Sequence, residues 1–294
     1  MSAVPAQSAL WTYSKMIKLS HTIFALPFAL AAAVLASSVQ TPTIWQLVLI
    51  VLCMVTARSS AMGFNRVIDR RIDAANPRTA GREIPSGQIS VGAAWGFTLG
   101  SAALFVLFSA LLGVLTLALS PIALLVIWGY SLTKRFTALC HAVLGLALAL
   151  APTAVWIAIT GGYDWAPFVL SVGVGTWVAG FDILYSLQDR EYDAGVGLHS
   201  VPTALGETGA MVLSAGLHVV TVGALATLPW VADLGWPYWI GLALIAGVLA
   251  YEHWIVRPGD LSRINKAFFD LNGYVSLIFF AFVAAGWWLA PEVL

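Results

Sequence analysis

Asn65, Asp69 and Asp73 recur at every fourth residue of the stretch from Asn65 to Asp73. On a helix that spacing stacks the three side chains one turn apart on a single face. A second acidic stretch sets Asp182, Asp189 and Asp193 at i, i+7 and i+11, with Tyr185 beside them. Asp69 and Asp189 are 120 residues apart, as are Asp73 and Asp193, and the loops that follow end at Pro85 and Pro202. The pattern is a weak internal repeat: two halves that bring carboxylate-bearing helix ends to one shared cavity. Like charges one turn apart repel, and a cation between the two clusters relieves that repulsion. Carboxylate oxygens without a cysteine or histidine cluster favour a hard ion, Mg²⁺ over Zn²⁺. Mg²⁺ keeps several waters and is usually shared between a few carboxylates and a substrate phosphate. Arg66, Arg70, Arg71, Arg78 and Arg82 lie close by in sequence, and with Lys134 and Arg135 they suit a polyanionic phosphate. Loop solvation explains any one of these cations equally well, but it does not explain the two carboxylate ladders.

Arg58 stands seven residues before Asn65, on the same helical face and about 10 Å deeper. A charge inside an apolar segment marks a functional site by default. It is suited to the carboxylate of an acidic substrate; snorkelling to the surface or pairing with an aspartate is an equal alternative.

The elements that must position these residues follow from composition. Of 294 residues, 60% are hydrophobic and only 10% charged, with a mean hydropathy of +0.88. A soluble domain averages about 25% charged residues, so an ordinary soluble enzyme and a disordered chain are both excluded. The 14 basic and 14 acidic residues balance, which excludes a purely electrostatic nucleic-acid binder. Nine stretches reach the roughly 20 apolar residues that cross a bilayer: 18–38, 44–64, 90–111, 114–131, 139–159, 165–185, 207–229, 237–256 and 267–289. The fold class expected is all-α, a polytopic bundle of nine transmembrane helices.

The basic residues fix its orientation. Lys15 and Lys18 precede the first stretch, and Arg58 to Arg82 end and follow the second. Lys134 and Arg135 follow the fourth, Arg190 the sixth, and Arg257, Arg263 and Lys266 the eighth. The opposite connections contain no Lys or Arg, so the N-terminus and every large loop are expected in the cytoplasm. Trp45, Trp165, Trp230, Trp236, Trp239, Trp287 and Trp288 crowd the other ends, as an interfacial aromatic belt does. The first stretch resembles a signal peptide in outline, but His21 and Pro27 interrupt the region and eight more stretches follow, which favours an uncleaved helix.

Other residues carry less. Cys53 and Cys140 read as buried thiols, and His218 and His253 as buried or interfacial side chains without metal spacing. His21 is placed to line the same cavity as the aspartates. Gly173, Gly175 and Gly180 suit close helix packing. Asp270 fits the electrostatics of a helix N-terminus.

Taken together, Asn65-x₃-Asp69-x₃-Asp73, Asn76-Pro77-Arg78-Thr79 and Arg82-x₂-Pro85-Ser86-Gly87 resemble the first signature of the UbiA superfamily of membrane prenyltransferases. Asp182-x₂-Tyr185-x₃-Asp189-x₃-Asp193 resembles the second, and Tyr130-x₃-Lys134-Arg135-x-Thr137 the segment after the family's fourth helix. Arg58 falls where the family has an arginine. Arg66 is a departure, since many members carry Asp there. The segment from His21 to Phe28, with Asn65-Arg66, is similar to the 4-hydroxybenzoate polyprenyltransferase-like branch.

The resemblance implies one prenyltransferase domain over 1–294, in the cytoplasmic (inner) membrane, with its active site facing the cytoplasm. It implies transfer from a polyprenyl diphosphate to 4-hydroxybenzoate or a related hydroxy-aromatic acid in ubiquinone or menaquinone synthesis, with 1,4-dihydroxy-6-naphthoate as an alternative acceptor. Asp69, Asp73, Asp189 and Asp193, helped by Asn65 and Asp182, would hold Mg²⁺. Arg78, Arg82, Lys134 and Arg135 would bind the diphosphate, Tyr130 and Tyr185 would face the allylic cation, and Arg58 would orient the acceptor. The partners expected are these substrates and membrane lipid, with no nucleic acid and no obligatory protein. An ion-coupled transporter is the alternative from another class, although the polar residues gather at one end rather than at the midplane.

Overall fold

The computed structural model describes residues 9–17 and 22–290, which form helices and connecting turns. Lys18 and His21 lie outside the described residues, as does the start of the first expected span. The elements are α1 (Ala9–Met16), α2 (Thr22–Ala36), α3 (Ile44–Ile68), α4 (Arg70–Ala75), α5 (Val91–Leu112), α6 (Val114–Thr133), α7 (Cys140–Thr160) and α8 (Trp165–Ser186). They continue with α9 (Arg190–Gly195), α10 (Val201–Thr227), α11 (Pro229–Ala232), α12 (Pro237–Ile255), α13 (Ile264–Lys266) and α14 (Asn272–Trp288). Among the described residues, eight helical segments are long and apolar enough to cross a membrane, those containing α3, α5, α6, α7, α8, α10, α12 and α14. The protein is accordingly a multi-pass membrane protein. Helix α2 is shorter, 15 residues.

One order of elements occurs twice. A long helix ends at an acidic stretch, a short helix and loop follow, and a serine-capped helix returns against the first. In the first instance α3 leads through α4 to α5, which Ser90 caps through Ala93 N–H. In the second, α8 leads through α9 to α10, which Ser200 caps through Thr203 N–H. Helix α3 packs along α5, and α8 along both α7 and α10.

Glycines permit these approaches. A Cβ on Gly175 would stand 3.3 Å from the Ala149 Cβ, and one on Gly173 would meet Leu225 at 2.8 Å. A Cβ on Gly180 would meet the His218 ring and the Ser214 carbonyl. Close packing is therefore the role of the glycines in α8. The expected span 207–229 begins where α10 kinks: Gly206 has φ +71°, a left-handed conformation that glycine alone adopts cheaply.

Within the second half the apolar interior carries a polar seam. Trp177 Nε1–H donates to Asn272 Oδ1 at 2.7 Å, and Asn272 Nδ2–H donates to Glu252 Oε1 at 3.2 Å. His218 and His253 are 2.9 Å apart, so the two histidines pair with each other. Six of the seven tryptophans expected at the external ends are exposed; Trp287 packs against the core instead.

Candidate active site

The helix carrying the first ladder runs past the expected boundary at 64 to Ile68, which keeps Asn65 helical. Asp69 bends the chain, yet Asp69 N–H still donates to Asn65 O (2.9 Å) and Asp73 N–H to Asp69 O (2.8 Å). The i, i+4 bonding continues through the bend, so the three side chains stay on one face. The second ladder departs from a continuous helix. A 3₁₀ turn at Leu187–Asp189 separates α8 from α9, because three residues per turn replaces 3.6 and shifts the register. Asp182, Asp189 and Asp193 nevertheless line the same pocket, a cavity of about 200 Å³ that also receives Asn65, Asp69, Asp73, Arg78, Arg82, Lys134 and Tyr130.

Each cluster is bound to cations. Asp69 is 2% exposed and accepts from Asn65 Nδ2 (3.0 Å) and Arg135 Nη2 (2.7 Å), with Lys134 Nζ at 3.3 Å. Burial pushes its carboxyl above the usual carboxylate range, against the pull of Lys134 and Arg135. Asp73 Oδ1 accepts from Arg82 Nη1 at 2.7 Å. Asp189 crosses the halves, accepting from Arg78 Nε (2.8 Å) and Nη2 and from Asn76 Nδ2 (3.3 Å). Burial opposes the charge on Arg78, but its bonds to Asp189 and Tyr185 outweigh that and hold its pKa above the ordinary value. Tyr192 O–H donates to Ile72 O at 3.0 Å, and His199 N–H to Lys134 O at 2.7 Å, so backbone contacts also join the halves.

Asp73 Oδ2 is buried and has no hydrogen-bond partner, an orphaned oxygen of the kind a cation satisfies. Among the described residues no three Asp, Glu, His or Cys side chains converge tightly enough to hold a metal by themselves. Mg²⁺ needs no such cluster, since it takes one or two carboxylates and completes its octahedron with water and phosphate oxygens. The aspartates and Asn65 on the pocket wall present oxygen donors, which fit Mg²⁺ equally.

A second cavity of about 290 Å³ adjoins the polar pocket, and Tyr130 and Leu144 line both. Its walls are almost wholly apolar and come from α3, α5, α6 and α7, and Arg58 lies within it. Tyr185 stands beside the polar pocket, with its ring stacked on Phe268 at 4.0 Å and its hydroxyl 3.5 Å from Arg78 Nη1. Arg66 turns away. It is 4% exposed, its Nε has no hydrogen-bond partner, and it does not line the polar pocket.

Three contributors had no role assigned from sequence. His141 Nδ1 lies 2.7 Å from Asp182 Oδ2, Asn76 holds Asp189, and Ser131 faces Asn65 at 3.4 Å. Asn76 belonged to a quoted motif without a role, and nothing in the spacing of His141 or Ser131 ties them to their partners.

The sequence profile of the UbiA prenyltransferase family matches residues 25–283. The chain belongs to the UbiA prenyltransferase family. A UbiA homolog from Aeropyrum pernix K1 superposes with a TM-score of 0.82 at 31% identity, over 90% of this chain and 97% of that one. A UbiA homolog from Archaeoglobus fulgidus bound to DMAPP and Mg²⁺ shares the fold, with a TM-score of 0.68 at 21% identity over 95% of this chain and 99% of that one. Among curated relatives, a 4-hydroxybenzoate octaprenyltransferase of Tolumonas auensis is 28% identical over 96% of this chain and 98% of its own length. One from Klebsiella pneumoniae is 27% identical over 84% of this chain and 85% of its own length. The aspartates of the two stretches that resemble the UbiA signatures lie on the walls of one pocket in this chain.

Proposed function

We propose that the protein transfers a polyprenyl group from a polyprenyl diphosphate to 4-hydroxybenzoate or a related hydroxy-aromatic acid and releases diphosphate. One observation carries the reading: a pocket of carboxylates and cations adjoins an apolar cavity containing a single arginine, and Tyr130 lines both. The polar pocket suits the diphosphate and the apolar cavity suits the isoprenoid and the ring. Family membership and the names of the relatives favour group transfer over transport.

Asp69, Asp73, Asp189 and Asp193, with Asn65 and Asp182, would hold Mg²⁺, which when bound neutralises charge on diphosphate oxygens. Arg78, Arg82, Lys134 and Arg135 bind the diphosphate and stabilise the charge that grows on it as the allylic C–O bond breaks. The ring faces of Tyr130 and Tyr185 stabilise the allylic cation, and the apolar walls keep water from capturing it. Arg58 pairs with the acceptor carboxylate and turns the ring towards the cation. A ring carbon forms the new C–C bond and then loses its proton to an oxygen of the released diphosphate.

The basic loops border the polar pocket, and the positive-inside asymmetry supports a cytoplasmic active site and N-terminus, with nine spans in the cytoplasmic membrane. Dihydroxynaphthoate in place of 4-hydroxybenzoate, and a menaquinone rather than ubiquinone product, remain within the same chemistry. The test is product mass: purified protein in lipid receives geranyl diphosphate, Mg²⁺ and each acceptor in turn. A prenylated acid from one acceptor supports the reading. Failure of folded protein to prenylate either acceptor, with geranyl and longer donors alike, contradicts it.

A further inference from the structure

His141 is 3% exposed and makes two directional bonds. Its Nε2 lies 3.2 Å from the backbone N–H of Val201, the first residue of α10. An N–H only donates, so Nε2 carries the lone pair and Nδ1 carries the proton. Nδ1–H therefore donates to Asp182 Oδ2 at 2.7 Å. The partners of both nitrogens fix the tautomer. One ring from α7 thus ties a carboxylate on α8 to the start of α10. The Val201 N–H is one of the orphan donors of a helix start, and Ser200 Oγ serves Thr203 instead. Asp182, His141, His199 and Ser200 all line the polar pocket. The Asp182 side chain is 25% exposed, and the imidazole takes Oδ2 and leaves Oδ1 for the pocket.

We propose that His141 is a positioning residue: it aims the Asp182 carboxylate into the metal–diphosphate pocket through Nδ1–H. The proposal rests on the Mg²⁺-dependent reading above. A carboxylate with free χ2 rotation offers its oxygens in many directions, whereas one oxygen fixed by a buried donor leaves the other with one direction. Outer hydrogen bonds of this kind usually change metal affinity or activity about 10–100-fold when removed.

The two arms of the ring separate chemically. Asparagine keeps an N–H on the atom bonded to Cγ, where Nδ1 stands, and loses the Nε2 acceptor. Glutamine reaches the Nε2 position with its amide oxygen and loses the Nδ1 donor. Leucine loses both.

The experiment uses full-length protein in lipid, with His141→Asn, His141→Gln, His141→Leu and Asp182→Asn variants and the His141→Leu, Asp182→Asn double variant. Mn²⁺ binding in the presence of inorganic diphosphate is followed by electron paramagnetic resonance, and the Mg²⁺ concentration for half-maximal transfer gives the second readout. Melting temperatures show that each variant is folded. His141→Asn is expected within about threefold of wild type. His141→Gln, His141→Leu and Asp182→Asn should weaken Mn²⁺ about 10–100-fold, and His141→Leu should add nothing to Asp182→Asn. Recovery by glutamine and not by asparagine overturns the proposal and leaves His141 as a post for α10. So does folded His141→Leu protein that binds Mn²⁺ as wild type does. Wild-type protein that binds no Mn²⁺ rejects the metal reading itself, and the proposal with it.

Discussion

Arg78 and Asp189 stand 111 residues apart in the chain and meet as a fork: Nε donates to Oδ1 at 2.8 Å and Nη2 to Oδ2. The bond spans the two halves, so the loop after the first acidic stretch is fastened to the second. It also places a guanidinium where the diphosphate is expected. Replacing Arg78 by alanine should lower kcat by roughly 10²–10³, the usual loss when a donor to developing charge is removed. Arg78→Lys should recover only part of this, because an ammonium cannot form the fork. Steady-state rates of diphosphate release check both.

Arg58 lies in the apolar cavity, separate from the carboxylate clusters of the polar pocket. If it holds the acceptor carboxylate, Arg58→Ala loses a charge-assisted hydrogen bond of about 1.5–3 kcal/mol. At about 1.4 kcal/mol per decade, kcat/KM for 4-hydroxybenzoate should fall roughly 10–100-fold, and the KM for the donor should hold. An acceptor lacking the carboxylate, such as phenol, should be indifferent to the change. Equal losses for both acceptors would refute the assignment.

Gly145 faces Gly175 across the α7–α8 contact. A Cβ at Gly145 would strike the Gly175 carbonyl and stand 3.3 Å from the Ala179 Cβ. Gly145→Val should therefore destabilise the bundle by at least the ~1–3 kcal/mol typical of overpacking. Its melting temperature in detergent should fall well below that of Gly129→Val, whose Cβ meets nothing within 4 Å.

Removal of divalent metal tests the donor set. Chelation by EDTA should abolish transfer, and Mg²⁺ should restore it. Zn²⁺ should serve poorly, since the residues assigned to the metal are carboxylates and an amide, oxygen donors to a metal that prefers nitrogen and sulfur. Transfer that continues at full rate in EDTA would contradict the role given to Asp69, Asp73, Asp189 and Asp193.

Much of the site was legible because helical spacing is local. Asn65, Asp69 and Asp73 share a face by arithmetic, and the lengths of the apolar runs marked most of the helices. Repetition at 120 residues indicated that the second ladder faces the first, and both ladders line one pocket. Long-range partners were not legible. His141 is a lone histidine at a helix start, and its bond to Asp182 exists only because α7 packs on α8. The 3₁₀ turn at Leu187–Asp189 is equally silent in sequence, since tertiary packing decides how a helix end tightens. The Glu252–Asn272–Trp177 seam falls in the same class: its members are 20 and 95 residues apart. Gly206 shows a middle case, a residue whose type permitted a kink without announcing one.

The most direct measurement compares wild type with Asp69→Ala and Asp189→Ala, one carboxylate from each half. Each purified protein, reconstituted in lipid and shown to be folded, receives geranyl diphosphate, Mg²⁺ and 4-hydroxybenzoate or 1,4-dihydroxy-6-naphthoate, and both diphosphate and prenylated acid are quantified. The two-half pocket predicts stoichiometric release and transfer by wild type and a loss of at least roughly 10² in rate for each variant. Near-wild-type, Mg²⁺-dependent transfer by either variant would contradict it.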